Sequence, residues 1–149
     1  MLQVGQNAPD FTLFNAEKES ITLSQFKGRN VVLLFFPKAF TGVCTKEFRD
    51  VRDNIHVYQN LNAEIIAISV DPESTLAEWK ASESYNFQML SDSNKDVSRT
   101  YDTIYDTGVS KRSAFVIDSE GTLRHIDVLE NAGEIPSFED ILNVLSTLN

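Results

Sequence analysis

From Val31 to Phe36 every residue is apolar, and Pro37 closes the run. A strand that alternates can leave one face in water, whereas this one needs apolar cover on both faces. That places it at the centre of a sheet with helices on each side. At six residues it is also the longest uninterrupted apolar stretch in the chain, far below the ~20 needed to cross a bilayer.

Further elements fall on either side of this strand. Residues 8–26 read as an N-terminal hairpin, Phe11-Thr-Leu13 and Ile21-Thr-Leu23 joined by polar residues, with Ser24 placed to cap a short helical turn ending near Gly28. After Pro37, Phe48, Val51, Ile55 and Tyr58 recur at helical spacing. Glu64–Val70 is a second buried strand, broken by Asp71-Pro72, and Ser74 can cap a helix running to about Ser84. Phe87–Leu90 is a short apolar piece, and Asn94–Tyr101 predicts a helix. Ala114–Ile117 and Thr122–Val128 read as strands joined at Ser119-Glu-Gly121. Ser137 caps a final helix carrying Phe138, Ile141, Leu142, Leu145 and Leu148. The early β-α-β unit requires a parallel pair, and the late hairpin makes the sheet mixed. The expectation is an α/β, thioredoxin-like fold: a central mixed β-sheet flanked by helices, with an N-terminal β-hairpin extension.

No repeat, low-complexity stretch or linker divides the 149 residues, so a single domain over 1–149 is expected. The net charge of −9 disfavours nucleic acid and anionic membranes as partners. The first residues lack the basic and apolar regions of a secretory signal, so a cytoplasmic location is expected. His56 and His125 share no ligand spacing, no nucleotide-binding glycine motif occurs, and neither a metal nor a cofactor is expected. Asp102 and Asp106 read as a solvated face, and Trp79 with Leu76 as core.

Cys44 is the one cysteine. That count excludes an internal disulfide, a CxxC pair and a multi-cysteine zinc site. A lone cysteine on an apolar stripe also fits a small buried hydrophobe. Its position argues for reactivity. It lies in the predicted first turn of a helix, just after the carboxyl end of a central strand, where α/β sheets gather their sites. Unpaired N–H groups and the helix dipole favour an anion there. Such settings, with nearby cations, lower a cysteine pKa from about 8.5 to ~3.5–7.5. With Thr41 as N-cap, its hydroxyl can reach the Cys44 N–H or the sulfur; a plain cap fits the residues equally well. Pro37 is most simply a strand terminator. Because Cys44 continues the stripe of Phe48 and Val51, its sulfur is expected to face the sheet, at the floor of a pocket that admits a small reactant. Phe40 fits either an interface aromatic or a pocket wall.

The segment Pro37-x-x-x-Thr41-x-x-Cys44 resembles the Pro-x-x-x-Thr-x-x-Cys signature of the peroxiredoxin (AhpC/TSA) family, thiol-dependent peroxidases. The likeness covers nearly the whole chain: residues 4–14, Ala67–Pro72 with Trp79, Phe87–Asp92 and Lys111–Asp118 each look like the corresponding family segment. The run Ala39–Glu47 is most similar to the alkyl hydroperoxide reductase E type. The resemblance implies a peroxidatic Cys44, with Pro37 and Thr41 in its catalytic signature. It also implies an Arg112 that steadies the thiolate and polarises the peroxide. The residues alone do not choose Arg112 over Lys111, Lys38 or Arg49. Glu47, one turn beyond Cys44, can orient Arg112 or be an ordinary helix carboxylate.

Two-cysteine relatives carry a resolving cysteine; this chain has none, and Arg49 stands where some relatives place one. Cys44 can therefore reach a sulfenic acid without closing an internal disulfide. The implied reaction is reduction of hydrogen peroxide and alkyl hydroperoxides, resolved by an external thiol or redoxin in a 1-Cys cycle. The alternative is a sulfenic-acid redox sensor or thiol-based partner-binding module without significant turnover. A homodimer is expected, mainly from the resemblance.

Overall fold

Seven strands form one mixed sheet in the computed structural model, which describes residues 2–148. Met1 and Asn149, the ends of the expected domain, lie outside the described residues. The strands are β1 (Thr12–Asn15), β2 (Ser20–Thr22), β3 (Asn30–Phe35), β4 (Ala63–Ser69), β5 (Gln88–Ser91), β6 (Ser113–Ile117) and β7 (Leu123–Val128). Their order across the sheet is β2-β1-β5-β4-β3-β6-β7. β3, β4 and β5 run parallel, and the remaining pairs are antiparallel. The expected thioredoxin-like α/β fold, with its N-terminal hairpin, is the fold observed.

The apolar run does what its composition demands. Val32 and Leu34 point into one core with Ile65, Ala67, Ala114 and Val116. Val31, Leu33 and Phe35 point into a second core with Ile66, Ile68, Phe115 and Ile117. The first core is roofed by α1 (Gly42–Asp53), α2 (Ile55–Asn60), α3 (Glu73–Glu83) and α5 (Phe138–Thr147). The second is covered by α4 (Asp96–Thr100), the following Tyr101 and a 3-10 turn, Leu23–Phe26.

Three local expectations are corrected. The stripe Phe48–Tyr58 is two helices, not one. Asn54 interrupts it, with its side-chain amide donating to the Asp50 carbonyl at 2.8 Å, the local competition that makes Asn a poor helix interior. Ser24 does not cap the early turn but lies inside it, its N–H bound by Asp10; Thr22 precedes the turn, and its N–H donates to the Gln25 side chain at 2.9 Å. Ser74 is likewise inside α3, because Pro72 holds the N-cap position with an extended backbone. Ser137 does cap α5, accepting from the Asp140 N–H at 3.2 Å.

Candidate active site

The carboxyl end of β3 is where the chemistry-bearing residues meet. β3 hands over at Pro37 to a tight loop, in which Phe40 adopts φ 65°, and α1 begins at Gly42. Cys44 therefore occupies the first turn of α1, as expected, and continues the buried stripe of Phe48 and Val51. The antiparallel register between β3 and β6 sets Phe35 opposite Ser113. Arg112, one residue earlier, thus stands at the same end of the sheet as Cys44. Sixty-eight positions apart in sequence, the two meet: Arg112 Nη2 donates to Cys44 Sγ at 3.1 Å.

The guanidinium is fixed on three sides. Besides the sulfur, its Nη1 donates to Glu47 Oε1 at 2.7 Å and its Nε to the Ala132 carbonyl at 2.9 Å. Arg112 is 2% exposed, Glu47 4% and Cys44 0%. Burial opposes the Arg112 charge, yet the Cys44 sulfur and the Glu47 carboxylate outweigh it and hold the guanidinium above its ordinary range. Burial lifts the Glu47 carboxyl from 4.5 to about 7, with Arg112 pulling the other way. Glu47 is thus not an ordinary surface helix carboxylate. The other cations open from sequence lie elsewhere: Arg49 holds Glu83 through two bonds, Lys111 holds Glu130 and Lys38 is exposed.

Two expectations about the pocket change. Thr41 holds the backbone N-cap position of α1, but its hydroxyl donates to the Lys38 carbonyl at 3.0 Å rather than to the Cys44 N–H or sulfur. Cys44 does face the sheet, but with no exposed surface it is sealed rather than open at the floor of a pocket. Behind it lies an aromatic cluster in which Phe48 meets Phe36 at 4.9 Å and Trp79 at 5.9 Å. Phe40 is 53% exposed and sits 6.2 Å from Trp79.

Sequence reasoning missed two contributors. One is the Ala132 carbonyl, which no side-chain motif signals. The other is Asp71, read only as a strand breaker. Its carboxylate is buried and accepts the Ala39 N–H at 2.8 Å, tying the loop before Cys44 to the end of β4.

Residues 4–126 match the model of the AhpC/TSA family. The chain belongs to that family. Its members are the peroxiredoxins, thiol-dependent peroxidases, and the chain is an enzyme of that class. It is 37% identical over 139 residues to alkyl hydroperoxide reductase E of Mycobacterium tuberculosis, covering 91% of this chain and 90% of that one. It is 34% identical over 138 residues to the chloroplastic 2-cysteine peroxiredoxin of Chattonella marina, covering 85% and 71%. Among solved peroxiredoxin structures, reduced Plasmodium vivax 2-Cys peroxiredoxin superposes with a TM-score of 0.89 at 28% identity, over 98% of this chain and 81% of that one. Peroxidoxin BcpB of M. tuberculosis gives 0.89 at 25% identity, over 100% and 99%. No described helix is long and apolar enough to cross a membrane.

Proposed function

We propose that this peroxiredoxin reduces hydrogen peroxide and alkyl hydroperoxides through Cys44 in a 1-Cys cycle. The observation that carries the reading is the bond from Arg112 to the sulfur of the chain's one cysteine. A guanidinium donor stabilises a thiolate and, held in place, can present its remaining N–H groups to a peroxide oxygen beside the sulfur. In the first step the Cys44 thiolate attacks one peroxide oxygen. The S–O bond forms, the O–O bond breaks, and the leaving alkoxide takes a proton and departs as alcohol or water. Cys44 is oxidised by two electrons to sulfenic acid. A first external thiol then displaces that oxygen as water and forms a mixed disulfide. A second thiol attacks this disulfide, releases Cys44 and leaves as the oxidised dithiol pair.

In this reading Arg112 steadies the thiolate and polarises the peroxide, while Glu47 and the Ala132 carbonyl fix its orientation. Pro37 and Thr41 shape the loop. The cycle operates in the cytoplasm, where thiol reductants keep a lone cysteine reduced. The protein works as a homodimer, with exposed Phe40 beside the site supporting a contact there.

Turnover of hydrogen peroxide and cumene hydroperoxide with an added dithiol tests this. Cys44→Ser is expected to remove the activity, and Arg112→Ala to slow it by about 100-fold or more. Full turnover by the Ser variant would remove Cys44 from the mechanism. Stoichiometric oxidation of Cys44 without turnover by any thiol or redoxin would favour the redox-sensor reading.

A further inference from the structure

We infer that Glu47 is the proton store of the peroxide step, protonated while Cys44 is a thiolate and deprotonated as Cys44 loses its charge. The inference rests on the 1-Cys reading above.

One cation serves two acids. Arg112 Nη1 donates to Glu47 Oε1 at 2.7 Å, and Arg112 Nη2 donates to Cys44 Sγ at 3.1 Å. Both acids are buried, where one guanidinium offsets one negative charge and a second is costly. Acids coupled this closely titrate as a pair. With Cys44 ionised for attack, the carboxyl is the member that keeps the proton. Burial favours that assignment, lifting Glu47 from 4.5 to about 7 against the pull of Arg112. No other group facing Glu47 supplies a positive charge. Tyr58 of α2 stays a neutral phenol, its titration pushed well up by burial and by the Glu47 and Asp50 carboxylates. Asp50, on α1 itself, is a further acid, and Ile135, Pro136 and Phe138 bring apolar surface.

Oxidation of Cys44 reverses the preference. The thiolate attacks, the S–O bond forms, the O–O bond breaks, and the electron pair leaves on the alkoxide. The sulfenic acid is neutral, so Arg112 now faces one ionisable partner in place of two. Its undivided attraction favours the carboxylate form of Glu47. Glu47 releases a proton, the alkoxide takes one up, and the site carries the same net charge before and after. In the thiol steps Cys44 leaves the mixed disulfide as a thiolate, and the proton given up by the second thiol returns to Glu47. Glu47 touches neither the sulfur nor the peroxide in this scheme and acts through Arg112. A cavity of about 50 Å³ beside the carboxyl, with Tyr58 and the exposed Asp50 in its lining, is large enough to hold water and gives the proton a way in and out.

The proton balance of a single oxidation tests this. Reduced protein is mixed with one equivalent of hydrogen peroxide, without thiol, in weak buffer containing a pH indicator. At about pH 6.5 the wild type is expected to take up well below one proton from solution for each Cys44 oxidised. Glu47→Gln keeps an acceptor for Arg112 but has no proton to release, and is expected to take up close to one. The difference is expected to shrink toward about pH 9, where Glu47 is ionised before and after the step. If the variant does not fold, difference infrared spectra of the wild type carry the test. Oxidation is expected to remove one protonated-carboxyl absorption per Cys44 and to add a carboxylate. Proton uptake by the wild type equal to or above that of the variant, or a carboxyl absorption that oxidation leaves unchanged, would overturn the proton store. A wild-type protein whose Cys44 gains no oxygen from peroxide would instead overturn the 1-Cys reading.

Discussion

A guanidinium with three separate acceptors has little freedom to turn, and Arg112 has them: the Cys44 sulfur, the Glu47 carboxylate and the Ala132 carbonyl. Glu47 is the informative partner, because burial raises its carboxyl to about 7. The folded protein therefore holds the Glu47 proton more tightly than the unfolded chain does. This contribution to stability is full below about pH 4.5 and is lost as pH rises through about 7, a swing on the order of 3 kcal/mol. Glu47→Gln removes the titration. Urea unfolding at pH 5 and pH 8 is expected to show the wild type losing more stability than the variant as pH rises. Parallel pH dependence of the two proteins would mean that Glu47 is not held protonated by burial.

At the scale of the element, the legibility of the chain tracks how local each cause is. The doubly covered strand was readable from Val31–Phe36 because burial on both faces leaves no polar position. The stripe from Cys44 through Phe48 and Val51 was readable because helical periodicity is local. The break at Asn54 was not, since apolar spacing continues across it while a side-chain bond to Asp50 stops the helix. The site was readable in the same degree. Cys44 could be placed from sequence, but Arg112 needed the resemblance, because its nearness depends on the β3–β6 register. Asp71, whose carboxylate accepts the distant Ala39 N–H, and Ala132, whose own carbonyl accepts from the Arg112 side chain, left no signal. Caps show the same limit: Ser137 accepts the Asp140 N–H, whereas Ser74 was displaced from its cap by Pro72. Ser137→Ala is accordingly expected to destabilise the protein by about 1 kcal/mol in chemical denaturation. Ser74→Ala should stay within about 0.5 kcal/mol. Equal losses in the two variants would contradict these assignments.

For the whole molecule, the sheet brings three distant stretches to one end: the loop after β3, the end of β4 and the start of β6. That end also exposes Phe40. If copies pair there, sedimentation is expected to show a dimer of the 16.8 kDa chain at micromolar concentrations, and Phe40→Asp to shift it toward monomer. A wild-type monomer throughout would oppose the pairing. The central claim, that Cys44 is the nucleophile and an outside thiol completes the cycle, is tested most directly by mass. One equivalent of hydrogen peroxide is added to the reduced protein without thiol, the products are digested, and glutathione is then added to a parallel sample. The account predicts one oxygen atom gained on the peptide containing Cys44. On glutathione addition, that gain is replaced by a glutathione adduct on the same peptide, and then by the reduced mass. Consumption of peroxide with no oxygen on that peptide, or full return to the reduced mass with no thiol present, would contradict it.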